Sequence, residues 1–484
     1  MFENSNQSYW GNSYMQIHVV SQGEVLWQVA KVYNSDVNQI IYLNQLENPD
    51  ILVVGQALVI PDPHLEYIVQ PGDNLWTIAS NLGVTVQELQ QFNNISNPNL
   101  IFVGELLEIP YRIHTIQLGE YLWVIAQRYG VTINQLLQAN RMESPSLIYP
   151  GQQLRIPRKA RPITETNAYT TETNEQGRQE VLALGRYFTY LSPFMYSFRE
   201  DGSLTDMYET GLVEAARVND ISPLLVITNY ARGGFNSDLG ATLLRNPSLQ
   251  DTLIENIVNT IQVKGYEGLN IDFEYLYPGD RENYNNFLRK VVNRLRPLGL
   301  SVSTALAPKE SKNQSGLLYE AHDYEVHGEL CDFVVLMTYE WGWAGGEPWA
   351  IAPINKVRDI LDYAVTVIPR NKIMVGMPLY GRDWKIPWVQ GTFAKTVSPK
   401  EAVNLAARNN VSILYDDTYQ SPFYRYTDSG GQKHEVWFED ARSVQVKYDT
   451  VKEYGLRGVS YWVLGNPFPQ NWPVLQANFT IHKL

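Results

Sequence analysis

Beyond residue 160 the chain alternates short apolar segments with longer stretches of helical periodicity, and this alternation constrains its fold more than any other feature. The apolar segments are "ITETNAY", "FTYLSPFMYSF", "LLVITNY", "LNIDFEY", "LSVSTALAP", "FVVLMTYEW", "KIMVGMPLYG" and "GVSYWVLG". Between them lie patterns such as "TDMYETGLVEAARVN", "SLQDTLIENIVNTIQVKG" and "RENYNNFLRKVVNRLRP". Strands that are apolar on both faces belong in a parallel sheet covered by helices. Eight strand-helix units therefore predict an α/β fold, a TIM (β/α)8 barrel over residues 162–484.

The fourth segment departs from that apolar rule. In "GLNIDFEYL" Leu269, Ile271 and Phe273 share one face of a strand, while Asn270, Asp272 and Glu274 share the other. The first set is predicted to face the helices and the second to point into the barrel, stepping toward the strand's carboxyl end, where barrels carry their chemistry. Burying two unpaired carboxylates costs several kcal/mol, so the arrangement requires either a use for them or a dense network of hydrogen bonds. Residues two apart on a strand sit about 6.5–7 Å apart, close enough for Asp272 and Glu274 to lean together and share a proton. Like charge and burial both raise the pKa of one of the pair, and a carboxyl protonated near neutrality is what a general acid requires.

The first third of the chain repeats itself. "HVVSQGEVLWQVAKVYN", "YIVQPGDNLWTIASNLG" and "HTIQLGEYLWVIAQRYG" align Gly23, Gly72 and Gly119, and likewise Trp27, Trp76 and Trp123, at spacings of 49 and 47. Each copy continues through a second helical pattern ending near Asn44, Asn93 or Asn140 and closes with "VGQALVIP", "VGELLEIP" or "PGQQLRIP". The implied units are strand, helix, helix, strand, over residues 14–61, 64–110 and 112–157. They resemble the LysM module, a βααβ fold that binds N-acetylglucosamine-containing glycans such as peptidoglycan or chitin. The resemblance implies sugar contacts after the first strand (Gly23 and Glu24, Gly72 and Asp73, Gly119 and Glu120) and before the last (Asp50 and Ile51, Asn99 and Leu100, Ser146 and Leu147). Trp27, Trp76 and Trp123, lying inside helical patterns, are read as core rather than as ligand platforms. Three weak sites in tandem would gain avidity on a polymer.

Composition narrows the partners. A formal net charge of -13 argues against nucleic acid, whose binding rests on neutralising phosphates. The single cysteine, Cys331, opens an apolar run and reads as a buried thiol. The seven histidines form no metal-ligand spacing with Cys, Asp or Glu, and no Gly-Lys phosphate loop is present, so neither metal nor cofactor is expected. No apolar run approaches the roughly 18–20 residues a membrane span requires, and the amino-terminal stretch lacks the basic and apolar regions of a secretory leader. A monomer made without a signal peptide, with no membrane partner, is expected.

"EGLNIDFE" is similar to the fourth-strand signature of glycoside hydrolase family 18, usually Asp-Gly-x-Asp-x-Asp-x-Glu, "LMTYEW" resembles its sixth-strand Met-x-Tyr-Asp, and "GVSYW" its eighth-strand Trp. The resemblance covers residues 162–484 and marks about 382–439 as the small α+β insertion of many members, with "RYTDSGGQKHEVWF" as its hairpin. With the repeats, "MTYEWGW" and "APINKV", the chain most resembles the spore cortex-lytic N-acetylglucosaminidases and germination proteins of endospore-forming bacteria, which implies a place in the spore coat or cortex. In such enzymes the substrate's own 2-acetamido oxygen attacks the anomeric carbon, so the protein supplies an acid and no nucleophile. The resemblance makes Glu274 that acid, Asp272 the group that orients the acetamide with Asn270 beside it, Tyr339 a hydrogen-bond donor to the acetamide carbonyl, and Trp462 the floor under the sugar. Glu340, Trp341 and Trp343 would line the cleft. Glu267 and Asn270 replace the first two signature aspartates, and Glu340 replaces the Asp after the sixth-strand Tyr. The alternatives are a chitinase and a catalytically silent glycan-binding barrel. Retention of both Asp272 and Glu274 speaks against the silent form.

Overall fold

Each predicted apolar segment supplies one strand of a closed parallel barrel: β1 (Ile163–Thr170), β2 (Tyr190–Pro193), β3 (Ser222–Thr228), β4 (Gly268–Asp272), β5 (Ser301–Leu306), β6 (Phe333–Leu336), β7 (Ile373–Pro378) and β8 (Gly458–Trp462). They pair in chain order, and β8 returns to pair with β1, which leaves no free edge among the eight. The second segment breaks after Pro193, and a separate short strand, Tyr196–Ser197, pairs alongside β3. The structure is a computed structural model that describes residues 15–62, 65–145, 148–158 and 161–484. Residues 14 and 64, where the first two repeats were expected to start, and Ser146 and Leu147 of the third lie outside the described residues.

The barrel interior is layered by chemistry. Tyr190, Leu224, Phe333, Val335 and Met374 form an apolar plug. A second layer consists of small polar side chains that satisfy one another. Asn167 donates to Ser460 at 2.9 Å and accepts from Ser192 at 2.8 Å, while Asn270 donates to Ser303 at 2.9 Å. Outside, Leu269, Ile271 and Phe273 are fully buried in the main core, with Phe273 stacked on Tyr284 and Phe287 of the helix Arg281–Leu295. The predicted alternation is observed from Leu269 to Asp272, where the strand ends; Phe273 and Glu274, expected within it, lie just past that end, and the outward side chains are packed while Asn270 is hydrogen-bonded inside.

Between β7 and β8 the chain builds a five-stranded antiparallel sheet with the helix Pro399–Arg408 against it. The predicted hairpin is its centre, Ser421–Thr427 paired with Lys433–Trp437.

The three repeats each pair a first and last strand antiparallel: Gln16–Val19 with Ala57–Ile60, Glu66–Ile68 with Leu106–Glu108, and Tyr111–Thr115 with Gln153–Pro157. The recurring Asn is a clamp. Asn44, Asn93 and Asn140 each donate to a carbonyl on their own helix and to one on the last strand, and accept that strand's N–H. The reading of the tryptophans as core is overturned, since Trp27, Trp76 and Trp123 are 59%, 68% and 57% exposed. The helices bury Leu26, Val29 and Ala30, or their counterparts, at spacings of three and four. A residue one step past such a stripe is turned about 100° away from the core.

The first two repeats are fastened to the barrel and its insertion. In repeat 1, Ile413 N–H donates to Val54 C=O at 2.8 Å and Arg442 to Gly55 C=O at 3.1 Å. Strand Ala57–Ile60 lies over the helix Ala441–Tyr454, and Ala57 and Val59 join the main core. Gly55 has φ 82°, and a Cβ there would lie 1.8 Å from the Ile413 carbonyl oxygen. In repeat 2, Glu105 pairs with Arg186 at 2.5 Å and Glu108 with Arg161 at 2.5 Å.

Candidate active site

The candidate side chains converge where β1, β3, β4, β6 and β8 end. Asn270 and Asp272 are buried at the inward face of β4, and Glu274 follows, half-buried. Asn270 accepts from the Tyr169 hydroxyl at 2.9 Å while donating to Ser303, so its orientation is fixed from both sides. Asp272 Oδ1 is buried and accepts no hydrogen bond among the described residues. Burial pushes the Asp272 carboxyl up to about 7. Glu274 is raised well above the ordinary glutamate value, first by burial and then by the charges of Asp272 and Glu340. A pair so placed holds a proton at neutral pH, the condition for a general acid.

The Glu274 main chain is held by a residue the sequence reading missed. Asn229, fully buried just past the end of β3, accepts from Glu274 N–H at 3.0 Å and donates to Glu274 C=O at 2.8 Å. One residue earlier, His322 Nε2 donates to the Phe273 carbonyl at 2.8 Å while its Nδ1 accepts from Ala307 N–H at 2.8 Å. Burial holds this imidazole down at about 4, hence neutral and able to do both. The loop bearing the candidate acid is thus pinned from β3 and from beyond β5.

Tyr339, at the end of β6, is half-buried, and its ring lies against Gly376 of β7, where a Cβ would come within 2.7 Å of it. Its phenol is raised well above the usual value by burial, then by Tyr169, Asp272 and Glu274, so it keeps its proton and faces the same carboxyls. Trp462, ending β8, meets Phe194 edge-on at 4.8 Å and Tyr169 at 5.5 Å, forming an aromatic base beside Asn270's partner. Glu340, at φ 68°, is engaged with the insertion: it accepts from Arg382 at 2.8 Å and from the Tyr380 hydroxyl. Trp341 packs against the main core. Trp343 is 51% exposed and lies edge-on to the exposed Phe393 at 6.5 Å.

In the repeats Gly72 and Asn99 are exposed, and Asp73 and Leu100 half-buried. The Asp73 carboxylate is occupied by its own loop, accepting from Gln70 N–H and the Tyr67 hydroxyl at 2.7 Å each. Glu24 and Glu120 play the same part in the other repeats, with His18 and His114 replacing the tyrosine. These acids shape the loop after the first strand. Among the described residues no cluster of His, Cys, Asp and Glu is arranged to hold a metal.

The geometry agrees with comparisons to known proteins. The family model for Glycosyl hydrolases family 18 matches residues 220–466, and the LysM domain matches 18–61, 67–110 and 114–157. The cortical fragment-lytic enzyme of Bacillus subtilis (strain 168) is 45% identical over 474 residues, covering 97% of this chain and 99% of that one. The crystal structure of the Bacillus megaterium QM B1551 spore cortex-lytic enzyme SleL aligns at TM-score 0.76 and 37% identity, covering 98% of this chain and all of that one. A chitinase from Chromobacterium violaceum aligns at TM-score 0.60 and 25% identity, over 65% of this chain and 98% of its own.

Proposed function

The chain belongs to glycosyl hydrolases family 18 and carries LysM domains, and from that premise we propose that it is a retaining endo-N-acetylglucosaminidase acting on spore cortex peptidoglycan during germination. The observation that supports this most directly is the buried Asp272 and Glu274 pair at the barrel mouth, raised together in pKa, in a chain alike over nearly its whole length to a cortical fragment-lytic enzyme. Glu274 gives its proton to the glycosidic oxygen as the C1–O bond breaks. The acetamide oxygen of the same sugar closes on C1, and Asp272 accepts the acetamide N–H with the otherwise unpartnered Oδ1. Tyr339 donates to the acetamide oxygen and Trp462 supports the sugar ring. Glu274, now a carboxylate, takes a proton from water as the water opens the oxazoline at C1, which restores the starting stereochemistry.

The cortex-lytic relatives are Bacillus proteins, so the source is an endospore-forming bacterium, and the proposed place of action is the spore coat and cortex. The repeats hold an N-acetylglucosamine-containing glycan, through the surface formed by exposed Gly72 and Asn99 with half-buried Asp73 and Leu100 in the second copy. The enzyme works as a monomer, without nucleic acid or membrane. The folded units proposed are residues 14–61, 64–110, 112–157 and 162–484, with the insertion at about 382–439.

Glu274→Gln tests the assignment. The expected outcome is loss of fragment release from cortex sacculi by at least about 10³-fold with binding to sacculi retained. Mass spectrometry of wild-type products should show N-acetylglucosamine at the new reducing end. Release by the variant at the wild-type rate would remove Glu274 from the mechanism.

A further inference from the structure

The hairpin after β3 has no part in the chemistry above. Tyr230–Ala231 and Gly234–Phe235 pair antiparallel across Arg232 and Gly233, whose φ angles are 57° and 89°. Positive φ at both central positions is the type I′ turn, whose twist matches its strands and makes a stiff projection. A residue with a Cβ is strained there, and such strain is kept where the surrounding structure requires it. The Arg232 side chain is exposed and has no hydrogen-bond or ion-pair partner among the described residues.

At the hairpin's base the rings of Tyr230 and Phe235 lie edge-on at 5.6 Å, and Phe235 lies 6.5 Å from Tyr275. Tyr275 directly follows Glu274, is 43% exposed and holds φ 53°. The hairpin and the acid are fixed to each other. Ser237 donates to Tyr275 C=O at 2.5 Å, and the Asn229 amide that clamps Glu274 also donates to Asn236 C=O at 3.1 Å. Three rings therefore run from the residue after Glu274 to the base of the hairpin, whose turn carries Arg232. Aromatic rings receive the C–H faces of sugars, and a guanidinium receives a carboxylate.

We propose that this hairpin and Tyr275 form a substrate-reading arm: Tyr275, Phe235 and Tyr230 receive sugar rings beside the cleaved linkage, and Arg232 pairs with a carboxylate substituent of the strand. The arm makes an acid-substituted amino-sugar polymer the preferred substrate over a neutral one. It rests on the reading that Glu274 cleaves such a polymer.

The full chain is assayed by reducing-end release on soluble peptidoglycan strands with peptide carboxylates intact, and on the same strands after amidation of those carboxylates. Phe235→Ala is expected to raise KM about 3- to 10-fold on both, with kcat within about twofold, and Phe235→Tyr to restore KM. Arg232→Ala is expected to lower kcat/KM about threefold more on the intact strands than on the amidated ones, a difference that fades by about 0.5 M salt. An unchanged KM in Phe235→Ala, or an equal loss on both strands in Arg232→Ala, overturns the proposal. If the wild type releases no ends from either strand, the glycosidase reading fails. The arm is then judged by binding of both strands to the Glu274→Gln chain: a loss in Arg232→Ala confined to intact strands supports it, and equal binding with and without Arg232 refutes it.

Discussion

Asp272 carries opposing demands on one side chain. Its carboxyl sits at about 7 in the folded protein against an ordinary 3.8, so the folded state binds that proton more tightly than the unfolded chain does. Its contribution to stability is complete below the unfolded value and is lost as pH rises through 7. Asp272→Asn is therefore expected to stabilise the protein by about 2 kcal/mol at pH 8, with the gain shrinking toward pH 4, while activity falls. Thermal melts across pH check both the size and the direction. Period-two alternation was enough to find this residue, since Asn270, Asp272 and Glu274 share a face in any strand drawn through them. The same kind of reasoning failed for Trp27, because a helix places Leu26 and Trp27 on different faces and only the packing of the repeat decides which one is inside.

Between elements, the alignment of Glu274, the proposed acid, depends on β3 as much as on β4. Asn229 satisfies both main-chain groups of Glu274, so Asn229→Ala leaves an N–H and a C=O without their partner next to the proposed reacting carboxyl. It is expected to lower kcat by about 10²-fold with a smaller change in KM, because misplacement by about an ångström carries a cost of that order. Asn229→Asp, which keeps the acceptor and loses the donor, should fall between; steady-state kinetics on cortex fragments separates the three. The eight barrel strands were legible from apolar runs punctuated by helical periods. Asn229 was not: it stands next to last in "LLVITNY" as an unremarkable polar residue, and its partner lies 45 positions further on. Arg382 escaped for the same reason, since only folding brings the insertion's first strand against Glu340.

At the scale of the whole molecule, repeat 1 and the insertion are bonded to each other along a seam. Gly55→Ala places a methyl 1.8 Å from the Ile413 oxygen at a backbone angle of φ 82°. Gly23→Ala, at φ 81°, meets nothing within 4 Å. The second variant is expected to cost about 1–2 kcal/mol from backbone strain alone. The first should cost more and should release repeat 1, seen as new proteolytic cleavage between residues 45 and 65 and a larger radius of gyration in solution scattering. The seam was hidden from sequence reasoning because Gly55 sits in a motif shared with Gly104, and neither the motif nor its spacing distinguishes a glycine facing solvent from one pressed on a neighbour. Two of the bonds across this seam end on carbonyls of the peptide chain. On the repeat's side of the seam both acceptors are atoms that every amino acid carries, so the side chains of Val54 and its neighbours are free to drift in evolution so long as position 55 stays bare and Arg442 keeps its guanidinium.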